Sequence, residues 1–277
     1  MTSRIASLVL ATAAVALPFA SANAAISEWV SVQGGAVRLL SSERLESGDY
    51  QLGLEFSLDP GWHTYWRFPG ESGIPPQLDF SASENLRTKT VLYPTPVRYS
   101  DAYSSSIVYN ESLVLPIIVS PDNASEPVTI NASLFFGICN EICVPGDASF
   151  SLTLSPKEQT DELAKLLIDN NLLALPKTGS PALEKIRSIE PFIDEGEEKL
   201  SIKADVSNGH TVDLFAEGPE GSYISLPSLE EQDGKSATWT LSTKGLLKSA
   251  EGHTKLTLLL VDGDTSYESE HTVKLEQ

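Results

Sequence analysis

The chain has 277 residues, of which 38 are acidic and 19 are basic, so its formal net charge is −19. A surface of this charge repels nucleic acid and anionic lipid and favours solubility or a basic partner, so we expect no nucleic-acid binding. The length suits one large domain or two ordinary ones.

The first 24 residues have the features of a cleavable secretory signal. Arg4 precedes an apolar stretch over residues 5–20, and the segment ends on Ala22-Asn23-Ala24. An uncleaved anchor is the alternative, but Pro18 interrupts the stretch, which is short for a span of about 20 apolar residues. We therefore predict a signal peptide over residues 1–24 and a mature protein in an oxidising compartment, without stable membrane insertion.

Hydrophobic alternation predicts that most of the remaining chain forms β-strands. The pattern is clearest from Tyr50 to Leu58, where large apolar residues alternate with Gly53, Glu55 and Ser57. Further strands are predicted at residues 113–119, 128–136, 144–154, 200–206, 211–216, 237–241, 255–261 and 267–275. Short strands with Gly, Pro, Asp and Ser connections are typical of sandwiches, so the fold class is all-β with two sandwiches.

A short helix is predicted between the two sandwiches. Ser155-Pro156-Lys157-Glu158 has the pattern of a capping box with proline at the first helical position, and Leu163, Leu166 and Leu167 would share one face. The expected domains are residues 25–155, a helix and linker at 156–179, and a second domain at 180–277. The second domain contains no cysteine, and we expect it to serve in packing or docking.

The two cysteines of the chain, Cys139 and Cys143, are four positions apart. The strands that flank them would pair as a hairpin with Asn140-Glu141-Ile142 as its loop, which places the cysteines opposite each other within disulfide range. A three-residue loop commonly has its last residue in the left-handed region. Because β-branched Ile142 resists that conformation, we expect local strain.

The residues alone leave three functions open for this pair. A disulfide that closes about five residues stabilises by only about 2 kcal/mol, against about 4.7 kcal/mol for a hundred-residue loop, and a domain of this size does not need it. A short, accessible disulfide is instead the kind that exchanges. An inert hairpin disulfide is the second interpretation. The third is a metal site of two thiolates and His63, although the mature chain lacks methionine for a soft copper site.

Three separated segments carry distinctive aromatic and cysteine motifs. They are Gly61-Trp62-His63-Thr64-Tyr65-Trp66-Arg67-Phe68-Pro69-Gly70 followed by Ser72-Gly73-Ile74-Pro75-Pro76, then Tyr99-Ser100-Asp101-Ala102-Tyr103, and finally Phe136-Gly137-Ile138-Cys139-Asn140-Glu141-Ile142-Cys143-Val144-Pro145. In this order they resemble the N-terminal periplasmic domain of DsbD-type thiol:disulfide interchange proteins, especially the ScsB-like members. Residues 213–221 of the second domain also resemble ScsB-like proteins.

The resemblance implies an immunoglobulin-like β-sandwich in the periplasm whose cysteine pair shuttles electrons without a metal or another cofactor. By position, Cys139 and Cys143 form the redox disulfide. The resemblance assigns the attack on a partner disulfide to Cys143 and the resolving step to Cys139. It makes the chain a protein-disulfide reductase or a component of thiol-disulfide interchange.

The resemblance also implies a cap loop over residues 100–104 that covers the disulfide until a partner docks. Tyr103 would be the shielding aromatic residue, and Tyr65 would line the site from a neighbouring strand. The carboxylates of Asp101 and Glu141 would raise a thiol pKa and so restrict exchange to docked partners.

Full-length members of the family continue into a membrane-spanning electron channel and a thioredoxin-like domain, and this sequence has neither up to Gln277. We therefore expect a membrane thiol-disulfide transporter or a thioredoxin-like protein as electron donor, and periplasmic disulfide-containing proteins as clients. Clients in copper tolerance follow by analogy only. The alternative is a non-catalytic β-sandwich binding module, including a copper-handling one, with a structural disulfide.

The reduction potential of the Cys139–Cys143 pair separates these alternatives. We expect a redox titration to give a value within or above the range of known oxidoreductases, since the closed loop is short and accessible. A potential below about −300 mV is instead typical of a structural disulfide and would contradict exchange.

Overall fold

The computed structural model describes residues 26–101, 104–157 and 160–275, so the predicted signal peptide lies outside the described residues. Within these ranges, no helix has the length and apolar character needed to cross a membrane. The described chain is almost entirely antiparallel β-structure, as the alternation predicts.

The first domain contains two packed sheets. Its strands are β1 (Val30–Val32), β2 (Gly35–Arg44), β3 (Tyr50–Leu58), β4 (His63–Gly70), β5 (Gln77–Asp79), β6 (Leu86–Val91), β7 (Val97–Ser100), β8 (Ser105–Asn110), β9 (Ser112–Pro121), β10 (Val128–Cys139) and β11 (Cys143–Leu154). One sheet has the order β1-β2-β3-β9-β6, and the other has the order β11-β10-β4-β8-β7 with β5 paired to β10. Leu54, Phe56, Trp66 and Phe136 fill the space between them, which gives the expected immunoglobulin-like sandwich.

The second domain is a smaller sandwich with its own apolar core. Its strands are β12 (Ile186–Asp194), β13 (Glu197–Asp205), β14 (Val212–Glu217), β15 (Ser228–Asp233), β16 (Ser236–Ser242), β17 (His253–Asp262) and β18 (Thr265–Lys274). They form sheets of order β12-β13-β16-β15 and β14-β17-β18. Trp239, Leu214 and Leu258 are fully buried between the sheets.

The helix between the sandwiches differs from the prediction. It is α1 (Glu162–Leu172), and it begins after Asp161, whose carboxylate accepts a hydrogen bond from the Ala164 N–H at 2.9 Å. The expected capping box at Ser155 is therefore wrong. Of the three leucines expected on one face, Leu163 and Leu166 are exposed, and Leu167 is partly buried against the first domain. Ala164 and Ile168 make the buried face instead. A second short helix, α2 (Ser180–Leu183), precedes β12.

The helix packs against the first sandwich because Gly53 leaves room for it. A Cβ atom at Gly53 would lie 2.6 Å from the Val114 side chain and 2.8 Å from the Ile168 side chain. The outer face of β3 is consequently buried by α1, and the linker is part of the first domain's packing.

Ion pairs and apolar contacts join the two sandwiches. The guanidinium of Arg67, in the second half of β4, binds Glu217 at 2.8 Å and Glu268 at 2.7 Å, both of which belong to the second domain. Phe215 lies in the same apolar cluster as Trp66, with 6.3 Å between the ring centroids. The second domain therefore packs directly on the strand that also carries Tyr65.

Replacing Arg67 with alanine tests this contact. We expect Arg67→Ala to lower the free energy of unfolding by about 2 to 3 kcal/mol, because two largely buried glutamates lose a charged hydrogen-bond donor. Arg187→Ala is the matched control, since Arg187 pairs with Asp205 on the open surface. It should lower the free energy of unfolding by less than about 1 kcal/mol. Equal losses in urea unfolding would contradict the structural importance of the interdomain pair.

Candidate functional site

The two cysteines lie opposite each other at the end of a long hairpin. Strands β10 and β11 pair in continuous register from Val128 and Leu154 to Cys139 and Cys143. The Cα atoms of the cysteines are 4.1 Å apart, and their sulfur atoms are bonded. The predicted hairpin and the predicted loop over residues 140–142 are both present.

The expected strain in the hairpin loop is wrong. Among the described residues, the non-glycine residues with positive φ are Asn85, Glu111 and Glu195, and Ile142 is not one of them. The loop closes through the Asn140 N–H, which donates to the Ile142 carbonyl at 3.2 Å, so no left-handed residue is needed at its end. The Ile142 side chain projects outward and is 64% exposed.

The two cysteines of the disulfide differ in exposure. Cys139 is 1% exposed and packs with Tyr65 and Val108, whereas Cys143 is an exposed residue. We therefore expect a thiolate that approaches from solvent to reach Cys143 more readily than Cys139. Because access is one determinant of which sulfur is attacked, this asymmetry gives the two cysteines different chemistry.

The hydroxyl group of Tyr65 lies against both sulfur atoms. The Tyr65 oxygen is 2.8 Å from Cys139 Sγ and 3.1 Å from Cys143 Sγ. Disulfide sulfurs carry no proton, so the phenol is the donor, and its single proton is shared between the two contacts. Burial raises the pKa of Tyr65 above its usual value, and Tyr99 and Asp101 raise it further, so the phenol keeps this proton at neutral pH.

Two glycines allow Tyr65 to occupy this position. A Cβ atom at Gly73 would overlap the Tyr65 ring, and one at Gly137 would lie 3.2 Å from it. Gly73 also has a φ of 126°, a conformation that other residues rarely adopt. The backbone therefore approaches the ring from two directions.

His63 and Tyr99 complete an aromatic cluster beside the disulfide. His63 lies opposite Cys139 in the ladder between β4 and β10. Its ring lies 4.5 Å from the Tyr99 ring and 5.7 Å from the Tyr65 ring, centroid to centroid. Burial lowers the pKa of His63 below its usual value. The negative charge of Asp101 raises this pKa but by less, so the imidazole is mainly neutral at pH 7.

The segment expected to be a cap joins β7 to β8 beside this cluster. The Asp101 N–H donates to the Ser104 carbonyl at 3.1 Å, and the Ser104 N–H donates to the Asp101 carboxylate at 2.9 Å. Asp101 thus lies close enough to act on the pKa of both His63 and Tyr65. Tyr103 lies outside the described residues, so its expected shielding role stays a prediction.

The expected site residues therefore fall into two groups. The structure brings Cys139, Cys143 and Tyr65 into contact and leaves Asp101 in the adjoining turn. Sequence reasoning missed the ring contact between Tyr99 and His63, although both residues stand in the aromatic motifs. In the part of the chain that the structure describes, no group of three or more His, Cys, Asp or Glu residues is placed to hold a metal ion.

Comparison with known proteins identifies a matching family model and similar solved structures. Residues 36–155 match the family model described as thiol:disulfide interchange protein DsbD, N-terminal. The crystal structure of the N-terminal periplasmic domain of ScsB from Proteus mirabilis is similar, with a TM-score of 0.70 and 21% sequence identity over 90% of this chain and 98% of that chain. This likeness shows a shared fold that extends over both sandwiches. Curated protein sequences give no significant match.

Replacing Tyr65 with phenylalanine removes the hydroxyl and keeps the ring. We expect Tyr65→Phe to slow reduction of the disulfide by a small thiol about tenfold or more, because a hydrogen bond to a thiolate is worth about 1.5 kcal/mol or more. The measurement is the second-order rate constant with dithiothreitol at pH 7.

Tyr109→Phe is the matched control, because the Tyr109 hydroxyl is also buried but donates to the Pro94 carbonyl at 2.7 Å. That variant should lose stability without losing thiol reactivity. If the two variants react at the same rate, the Tyr65 hydroxyl has no part in sulfur chemistry.

Proposed function

We propose that this chain transfers electrons through Cys139 and Cys143, because residues 36–155 match the family model described as thiol:disulfide interchange protein DsbD, N-terminal. The observation that carries the proposal is the unequal disulfide, in which an exposed Cys143 is bonded to a buried Cys139 and one phenol donates to both sulfur atoms. A crosslink that closes so short a loop has little structural value, which favours exchange over an inert disulfide.

The pair accepts electrons from a donor dithiol at Cys143. A donor thiolate attacks the Cys143 sulfur, a mixed disulfide forms, and Cys139 leaves with the electron pair as a thiolate. The second donor thiol then attacks its own partner sulfur and releases Cys143. The donor is now a disulfide, and the cysteine pair has gained two electrons and, once both sulfurs are protonated, two protons.

The pair passes these electrons on through the same sulfur. The Cys143 thiolate attacks a client disulfide and displaces one client thiolate, and Cys139 then attacks Cys143 to displace the other. The original disulfide is restored, and the client has gained two electrons. Every bond to another protein forms at Cys143, the exposed residue, while the buried Cys139 only opens and closes the internal bond.

Tyr65 assists the step in which Cys139 is the leaving group. A thiolate in an apolar pocket is unfavourable because burial raises the pKa of a thiol. The Tyr65 hydroxyl, 2.8 Å from Cys139 Sγ, offers a hydrogen bond that stabilises the departing charge. Burial lowers the pKa of His63, so this residue is mainly neutral and adds no positive charge beside the departing thiolate.

The partners follow from this chemistry. We assign the chain to the periplasm, where a membrane thiol-disulfide transporter or a thioredoxin-like protein supplies electrons and disulfide-containing proteins receive them. Exposed Ile142 stands beside Cys143 and offers an apolar contact to such a partner. The acidic side chains of Asp101 and Glu141 favour a partner with basic groups around its own disulfide.

Single-cysteine variants test which sulfur meets other proteins. We expect Cys139→Ser, activated at Cys143 with a chromogenic aryl thiol, to release that thiol and form a stable mixed disulfide with a thioredoxin-like protein that has one active-site cysteine. Cys143→Ser, activated at Cys139, is the matched control. It should react roughly tenfold or more slowly, because its sulfur is buried.

Release of the aryl thiol followed by absorbance, and the complex followed by non-reducing electrophoresis, measure both reactions. Equal rates for the two variants would contradict the assignment of Cys143. If neither variant forms a complex with a thioredoxin-like protein, the electron-transfer proposal is wrong.

A further inference from the structure

The second domain holds the strand that carries Tyr99. The Arg98 guanidinium of β7 binds the two carboxylate oxygens of Asp213 at 2.7 and 3.0 Å. It also donates to the Pro227 carbonyl at 2.9 Å and to the Leu214 carbonyl at 3.3 Å. A forked arginine–carboxylate pair fixes orientation as well as distance, so Asp213 sets the position of β7.

That strand forms one side of the Tyr65 environment. Tyr99 follows Arg98 directly, and its ring packs on His63, which in turn packs edge-on against Tyr65. Tyr99 also contacts the small buried cluster that contains Cys139. A displacement of β7 would therefore change the packing on the Tyr65 ring.

The second domain also contacts the loop over residues 71–76, which packs against the Tyr65 ring. The Tyr223 hydroxyl donates to the Glu71 carbonyl, and a Cβ atom at Gly70 would overlap the Leu226 side chain. Gly73, two residues after Glu71, lies against the Tyr65 ring. The loop is fastened to the hairpin strand by the Gly137 N–H, which donates to the Ile74 carbonyl at 2.8 Å.

Hydrogen bonds tie the two sides together. The Ser72 hydroxyl lies 2.9 Å from the Ser106 hydroxyl and 3.1 Å from the Ser104 hydroxyl. The Ser105 N–H donates to the Glu71 carboxylate at 3.3 Å. Strands β7 and β8 and the 71–76 loop are thus one connected unit around Tyr65, and the second domain contacts it at Arg98 and at Glu71.

We propose that the second domain holds the Tyr65 hydroxyl in place on the two sulfur atoms, with Asp213 and Tyr223 as positioning residues. The inference rests on the proposed function, because it gives the second domain a part in the reactivity of the same cysteine pair. Hydrogen bonds weaken steeply with distance and angle, so a small movement of the ring removes the donor from the sulfurs. Neither Asp213 nor Tyr223 touches a sulfur, and each acts through the residues that surround Tyr65.

The direction in which the pKa of the Cys143 thiol moves distinguishes a positioning effect from a direct electrostatic effect. The ionisable groups around the sulfurs are Tyr65, His63, Tyr99, Asp101 and Glu141. Asp213→Asn removes a negative charge and leaves Arg98 unneutralised, and by Coulomb's law alone both changes stabilise a thiolate and lower its pKa. Loss of the Tyr65 hydrogen bond has the opposite effect and raises the pKa.

The pH profile of alkylation of the reduced protein by iodoacetamide measures that pKa at Cys143. We expect Asp213→Asn to move the midpoint upward by about half a pH unit or more, toward the larger shift of about one unit or more in Tyr65→Phe. Tyr223→Phe removes a single hydroxyl and should shift the midpoint in the same direction. Asp205→Asn is the matched control in the same domain, because Asp205 pairs with Arg187 on the open surface, and it should leave the midpoint unchanged.

A double variant tests the route through Tyr65. In the Tyr65→Phe background, Asp213→Asn should add no upward shift, since there is no hydroxyl left to position. The inference is overturned if Asp213→Asn and Tyr223→Phe both match the wild-type midpoint, if the midpoint moves downward, or if the upward shift is the same with and without the Tyr65 hydroxyl. The alkylation profile needs no protein partner, so it is independent of whether the wild-type chain exchanges with protein disulfides.

Discussion

The hydrogen bonds from the Tyr65 hydroxyl to the two sulfur atoms are the interaction on which the site depends. They join β4 to the tip of the β10–β11 hairpin, so a residue from the interior of the sandwich meets the only two cysteines of the chain. Burial makes a thiolate at Cys139 costly, and in the proposed exchange the phenol offsets that cost when the disulfide opens. The same burial keeps the phenol protonated, because it raises the pKa of Tyr65. The same apolar surroundings therefore make a thiolate unfavourable and keep protonated the hydroxyl that can stabilise it.

The position of that hydroxyl is determined well beyond the site. Its ring lies between the Gly73 backbone and the aromatic pair of His63 and Tyr99, and both neighbours are attached to the second domain. Arg67, two residues after Tyr65 on the same strand, binds two glutamates of that domain. These contacts connect the second sandwich, which has no cysteines, to the residues around the disulfide of the first. They hold the strands and the loop that surround the disulfide.

Alternation predicted β3, β9, β10, β11 and most strands of the second domain, because each of these strands has an evident apolar face or core run. It did not predict β4, where consecutive large aromatic residues are covered on both sides, or β12, which contains Pro191 and is half-exposed. The hairpin that pairs Cys139 with Cys143 followed from the sequence, since its register is local. The contacts of Tyr65 with the sulfurs and of Arg98 with Asp213 join residues more than 70 positions apart, and no local pattern specifies them. The predicted helix start was wrong because Asp161, and not Ser155, is the N-cap. Asp161 lies three residues before the first buried residue of the helix, Ala164.

The most direct test of the account is to identify the sulfur that first bonds to an outside thiol in the unaltered protein. Oxidised wild-type chain can be treated briefly with glutathione, quenched with acid, and digested to the peptide that contains both cysteines. Fragmentation of that peptide by mass spectrometry then assigns the adduct to one residue. We expect glutathione on Cys143, with Cys139 as the free thiol. Adducts on Cys139, or an equal division between the two, would contradict a disulfide with one reactive and one protected sulfur.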